Sequence, residues 1–176
     1  MRHKKVGSDA VRDALVHPIG APRLRALAKP GQKIAIIASD ISRPVPSYEI
    51  LPAVLDELIA AGCRREDVTV VFALGSHRHH TEEEKRHLAG SAVYDTVCCV
   101  DSDPTDCVHM GTTKNGTPVD ITRVVAEADF HIRFLSRWTR RPSPLTRTCW
   151  RMPSAAAQRP SCPVFLHRQP FRLITV

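Results

Sequence analysis

Two apolar runs with one amphipathic stretch between them constrain this chain more than any other feature. Lys33-Ile34-Ala35-Ile36-Ile37-Ala38 and Val68-Thr69-Val70-Val71-Phe72-Ala73-Leu74 are short, rich in β-branched residues and almost free of polar alternation. A strand with one face in water alternates apolar and polar side chains. A continuous run therefore implies burial on both faces, as inside a parallel sheet. Between the runs, Ile50, Leu51, Val54, Leu55, Leu58 and Ile59 recur at three- and four-residue spacing. That spacing predicts a helix over Ser47–Ala61, stopped by Gly62.

The pattern continues on both sides of this unit. Asp9 to Val16 predicts a short helix with Ser8 or Asp9 as its N-cap, broken by the His17–Pro22 segment with its two prolines and one glycine. Thr81-Glu82-Glu83-Glu84 carries a capping box, in which Thr81 and Glu84 satisfy each other's backbone amides at the start of a helix that ends near Gly90. Thr96 to Val100 predicts a third strand. Gly111 to Thr117 reads as a loop or hairpin, Pro118 to Ala128 as a helix or strand-helix unit, and Phe130-His131-Ile132 as the start of another strand. Strands alternating with helices over short loops predict an α/β fold: an open, mostly parallel, Rossmann-like sheet with flanking helices.

The composition changes at Ile132. Residues 133–176 hold nine Arg and six Pro but no Lys, Asp, Glu or Gly, whereas residues 1–132 hold sixteen Lys plus Arg against eighteen Asp plus Glu. The patterned segment is thus −2, and the tail alone produces the chain's +7. Domain organisation is accordingly expected as an α/β domain over 1–132 and an irregular Arg/Pro-rich tail over 133–176. The tail admits three readings: a nucleic-acid-binding arm, a disordered localisation tail, or out-of-frame translation of a GC-rich coding region. Loss of pattern in mid-strand favours the last. No apolar segment follows the basic N-terminus, and no stretch approaches the roughly 20 apolar residues of a membrane span, so a cytoplasmic protein is expected. The six cysteines show no CxxC pair and no zinc-ligand spacing, which points to reduced, structural thiols.

In sheets of this kind ligands sit beyond the carboxyl ends of the strands. Two loops fit that description. In Ser39-Asp40-Ile41-Ser42-Arg43-Pro44 a guanidinium could grip a carboxylate or phosphate through two parallel bonds, with Asp40 orienting it or accepting from a ribose; equally, Asp40 and Arg43 could merely tie the loop. In Gly75-Ser76-His77-Arg78-His79-His80 the first imidazole stands just past a buried strand. An imidazole, with an ordinary pKa of about 6.5, can take a hydroxyl proton near neutrality. The bland alternative is a histidine that packs or caps. His77-x-His79 with His80 also suggests zinc or nickel, but no carboxylate or Cys cluster of matching spacing stands near it in the sequence. His109 and His131 read as structural.

Taken together, these segments resemble the N-terminal domain of the lactate racemase family, the nickel-pincer-nucleotide-dependent racemases and epimerases of 2-hydroxy acids. The resemblance runs from about Pro18 to Ile132. It rests on Pro18-Ile19-Gly20, Ser39 through Ser47, Leu74-Gly75-Ser76-His77-Arg78, Gly111 through Val119 and Val125-Ala126-Glu127-Ala128-Asp129. It implies that Asp40, Ile41, Ser42 and Arg43 contact the pincer nucleotide, that Arg43 also holds the substrate carboxylate, and that His77 is one of two acid/base histidines. The implied reaction removes a hydride from the hydroxyl-bearing carbon while a histidine takes the hydroxyl proton.

The chain departs from the family after Ile132. There the resemblance calls for a second catalytic His, a Gly-rich loop ending in the Lys that binds the cofactor covalently, and a nickel-ligating His. The tail holds no Gly and no Lys, and the last lysine is Lys114. The expectation is a truncated racemase, inactive by itself, with a small 2-hydroxy acid as its substrate and no membrane or nucleic-acid partner. The alternative is a non-enzymatic α/β module whose Arg-rich tail binds nucleic acid.

Overall fold

The computed structural model describes residues 7–43, 45–134 and 173–175. In chain order, α1 is Ser8–Val16, α2 Leu24–Leu27, β1 Ile34–Ser39 and α3 Ser47–Ala60. A 3-10 turn over Arg65–Asp67 leads into β2, Val68–Ala73. Next come α4 Glu82–Ala89, α5 Ser91–Tyr94, β3 Cys98–Asp101, β4 Cys107–Thr112 and β5 Pro118–Thr122. The remainder is α6 Arg123–Ala126, β6 Phe130–Arg133 and β7 Leu173–Thr175.

Five of these strands form one sheet in the order β3-β2-β1-β6-β7, every neighbouring pair parallel. β1 lies at its centre, with Ile34 beside Val68 on one side and Phe130 on the other. Its two faces explain the unbroken apolar runs. Ile34, Ile36 and Ala38 point with Val68, Val70 and Phe72 into a core closed by Leu15, Leu24, Leu51, Val54, Leu58 and Leu88 from the helices. Ala35 and Val71 face the other way, against Ile121, Val125 and Ala128. The antiparallel β4–β5 hairpin and α6 thus cover the second face. Both faces of β1 and β2 are dry, which is why neither strand alternates.

The α/β class, the parallel sheet and the capping box are as the sequence predicts. Thr81 Oγ1 accepts from the Glu84 amide at 3.2 Å, and the Glu84 carboxylate accepts from the Thr81 amide at 2.8 Å. α1 begins one residue early, with Gly7 at the cap and no side-chain capping bond. β3 begins at Cys98 rather than Thr96, because Thr96 Oγ1 bonds back to the Ala92 carbonyl at 2.8 Å and closes the end of α5. Apolar composition alone could not separate that helix end from the strand.

At the compositional junction, β6 runs through Arg133, and Phe134 is buried in the first core. Leu173–Thr175 then lines the β6 edge in parallel, with His131 beside Leu173, a pairing the sequence reading did not anticipate. Leu-Ile-Thr is a good strand former, and the β6 edge offers it unpaired backbone groups. The three readings of the tail bear otherwise on residues 135–172 and 176, which lie outside the described residues. No helix among the described residues is long and apolar enough to cross a membrane.

Candidate functional site

Parallel pairing of β1 with β2, Ser39 beside Ala73, brings the loops that follow them to the same sheet edge. The first loop turns tightly: the Arg43 amide donates to the Asp40 carbonyl at 3.1 Å and the Val45 amide to the Arg43 carbonyl at 2.8 Å. Asp40 is buried at 4% exposure, while Ile41, Ser42 and Arg43 are exposed. The second loop turns at Gly75, whose φ of +63° lies in the left-handed region that glycine enters without strain. The His77 amide then donates to the Leu74 carbonyl at 3.1 Å.

These turns place the Asp40 carboxylate 2.5 Å from His77 Nδ1. Ser42 Oγ lies 3.4 Å from the same nitrogen, at the outer limit of a hydrogen bond. A carboxylate only accepts, so Nδ1 carries the proton and Nε2 keeps its lone pair in the neutral ring. The ring is half exposed, at 51%, and its partner carboxylate is not, at 6%. An imidazole so held has its tautomer and direction set by a buried carboxylate, with Nε2 open to take a proton.

Of the sequence candidates, Asp40, Ser42 and His77 converge. The side-chain pair between Asp40 and Arg43 does not form. Asp40 turns to His77, and no carboxylate among the described residues pairs with the Arg43 guanidinium. Arg43 is thereby left exposed two peptide units from Ile41, on the same loop as Asp40. Arg78 faces elsewhere: it grips Glu84 through two bonds of 2.8 and 2.7 Å. That guanidinium, followed by the Thr81 amide, holds the Glu84 carboxyl down at about 2.

The metal reading of the histidine run does not assemble. The His80 side chain is only 2% exposed and turns inward, with Nδ1 2.7 Å from Asp101 and Nε2 3.1 Å from the Ile41 amide. No group of three or more His, Cys, Asp or Glu side chains among the described residues could hold a metal ion. Asp101 and Ser102, which bonds the Leu74 amide at 3.0 Å, escaped the sequence reading. Only the parallel register of β2 and β3, with Phe72 beside Asp101, could have flagged them.

His131 is buried and donates through Nε2 to the Val125 carbonyl at 2.6 Å; His109 meets Asp120 across the hairpin at 2.8 Å. Cys63, Cys98, Cys99 and Cys107 are free thiols. Burial, with Cys98 adding to it, pushes the Cys99 thiol up to about 12, and burial raises Cys63, so neither is a nucleophile near neutrality.

Comparison with known proteins gives a consistent result. Residues 1–134 match the family model of the lactate racemase N-terminal domain. The lactate racemase of Thermoanaerobacterium thermosaccharolyticum is 36% identical over 124 residues, covering 69% of this chain and 29% of the relative. That of Lactiplantibacillus plantarum is 35% identical over 136 residues, covering 74% and 31%. Among solved structures, the lactate racemase apoprotein from T. thermosaccharolyticum superposes with a TM-score of 0.62 at 34% identity, over 72% of this chain and 31% of that one. A Thermotoga maritima protein shares the fold at a TM-score of 0.53 and 15% identity. The chain thus spans under a third of the length of the relatives it matches.

Proposed function

Because the chain belongs to the lactate racemase family, through that family's N-terminal domain, we propose that its two strand-end loops form the proton-transfer and carboxylate-binding half of a 2-hydroxyacid racemase or epimerase site. Inverting such a substrate by this route breaks and remakes two bonds, the hydroxyl O–H and the C2–H. The hydroxyl proton leaves to a base, and the C2 hydrogen leaves with its electron pair. This gives a flat 2-keto acid that can be reprotonated and reduced from either face. The proton half falls to His77. Its Nε2 accepts the hydroxyl proton, and the Asp40 carboxylate 2.5 Å from Nδ1 steadies the imidazolium that results. Arg43 binds the substrate carboxylate through its planar pair of N–H groups and holds it still.

The single observation that carries this reading is a buried carboxylate aligned on a half-exposed imidazole, with an exposed guanidinium on the same loop as that carboxylate. In this family the nickel-pincer nucleotide supplies the hydride acceptor. Ile41, Ser42 and Arg43 offer exposed groups at the loop, with Asp40 behind them, so these four are the proposed contacts to it. They do not suffice to hold it. No described cluster could ligate the metal, and Lys114, the last lysine, stands in the turn of the β4–β5 hairpin. The proposal therefore gives these residues the proton and carboxylate roles only, and expects no racemisation by this chain alone. An out-of-frame origin for the Arg/Pro-rich tail and a cytoplasmic setting belong to the same proposal.

The test is a titration of the isotopically labelled chain with lactate, followed by NMR. Amides of Ser42 and Arg43 and the ring signals of His77 should shift with lactate and less with propionate, which lacks the hydroxyl. Arg43→Gln removes a charge-assisted pair of hydrogen bonds and should weaken binding about tenfold or more. Unchanged lactate shifts in Arg43→Gln would refute the carboxylate assignment.

A further inference from the structure

We infer that His80 is a positioning residue for this site: buried against Asp101, it pins the backbone at Ile41 and thereby holds Asp40 and Ser42 toward His77. The inference rests on the reading of Asp40 and His77 as the working pair for its functional meaning, although the tie itself exists without substrate.

Three observations converge on one state of the ring. Asp101 Oδ1 lies 2.7 Å from His80 Nδ1, and Oδ2 accepts the His80 backbone N–H at 2.8 Å, so the carboxylate is held from both sides of one residue. A carboxylate forces a proton onto Nδ1. Independently, the Ile41 amide can only donate, so Nε2, 3.1 Å away, must be an acceptor. Both demands select the same neutral tautomer. The third constraint is steric: the ring stands edge-on to Phe72, with centroids 5.6 Å apart and an interplanar angle of 76°. Phe72 itself is fully buried.

An apolar side chain would fill this space without losing hydration. It would also leave the part-buried Ile41 N–H without the acceptor it now has. The imidazole supplies that acceptor, and Asp101 keeps it one. Ile41 sits between Asp40 and Ser42, so fixing its amide fixes the peptide plane that carries the Asp40 carbonyl, the acceptor of the Arg43 turn bond. The two loops are consequently tied twice in opposite senses. Asp40 of the first reaches His77 of the second, and His80 of the second reaches Ile41 of the first. The first tie is half exposed; the side chains of the second are buried.

The experiment uses the full chain, labelled with nitrogen-15. Long-range proton–nitrogen spectra should show His80 as the neutral tautomer protonated at Nδ1. His80→Phe keeps the ring against Phe72 but removes the acceptor. Hydrogen exchange at the Ile41 amide should then accelerate about tenfold or more. The Asp40 amide and the His77 ring signals should move with it, while Ile36 and Val70 in the sheet centre stay unchanged. His80→Gln, whose amide oxygen can take the place of Nε2, should restore most of the protection. Asp101→Asn, which can donate to Nδ1 and so turn Nε2 into a donor, should lose it.

A ring protonated at Nε2 in the wild-type chain overturns the proposal, whatever the variants do. So does a folded His80→Phe, or a folded Asp101→Asn should the former not fold, that leaves Ile41 exchange and the His77 signals unaltered. A Gln variant no better than Phe overturns the acceptor role. None of these readouts involves lactate, so failure here and failure of the carboxylate assignment are separately visible.

Discussion

If Asp40 and His77 work as one unit, their side chains must be energetically coupled, and a double-mutant cycle measures that coupling directly. The perturbations are Asp40→Ala, His77→Ala and the pair. A hydrogen bond to a charged group contributes about 1.5–3 kcal/mol net when both partners are dry. Here the carboxylate is buried and the imidazole is half in water, which places the coupling at or just below the bottom of that range, about 1–1.5 kcal/mol. In a folded unit of this size each kcal/mol displaces Tm by roughly 3–6 °C. Asp40→Ala should therefore lower Tm by several degrees, and His77→Ala should add little once Asp40 has gone. Asp40→Asn, able to keep a neutral bond of about half the strength, should fall between wild type and Ala. Thermal and denaturant unfolding followed by circular dichroism at neutral pH give the four free energies. A coupling under about 0.5 kcal/mol, the range found for sites that do not touch, would refute the idea that Asp40 directs His77.

Other expectations follow from the elements around the site. Gly75→Ala places a methyl where no heavy atom lies within 4 Å, so the cost is backbone strain at φ +63° alone, about 1–2 kcal/mol in chemical denaturation. A smaller loss would mean the turn relaxes. Thr81→Ala should remove the side-chain half of the α4 capping box at about 1 kcal/mol, with the loss of amide protection confined to α4. Arg78 and the Thr81 amide hold Glu84 at about 2, below its ordinary value near 4.3. Its contribution is therefore complete above the ordinary value, declines as pH falls below it, and is gone once pH has fallen through about 2. NMR titration should find the Arg78–Glu84 contact intact at pH 3.5, and release near pH 4 would contradict this.

What the sequence discloses is set by the range of the interactions involved. β1 and β2 are legible because burial on two faces leaves a local trace, an unbroken β-branched run. The α4 start is legible because a capping box spans four residues. The 111–117 turn is legible because Gly111, Asn115 and Gly116 punctuate it. The pairing of Asp40 with His77 is not, because the two stand 37 residues apart and Arg43, three residues away, is an equally plausible partner on paper. Only the β1–β2 register decides between them. His80 shows the same limit in reverse. Its neighbours His77 and His79 suggest a metal site, while its actual partner, Asp101, lies 21 residues on and is delivered by β3. β7 escaped notice because Leu173–Thr175 carries too short a pattern, and its pairing depends on an edge contributed by β6.

The central claim is that this domain supplies the proton-transfer and carboxylate-binding half of a 2-hydroxyacid racemase. The most direct measurement joins residues 1–134 to the part of the T. thermosaccharolyticum lactate racemase that lies beyond the matched region. The chimera is loaded with the nickel-pincer nucleotide and assayed for interconversion of L- and D-lactate. Racemisation should appear in the chimera. Its kcat should fall by roughly 10²-fold or more with His77→Ala, and its KM should rise with Arg43→Gln. A folded, cofactor-loaded chimera that racemises lactate at full rate without His77 would contradict the account.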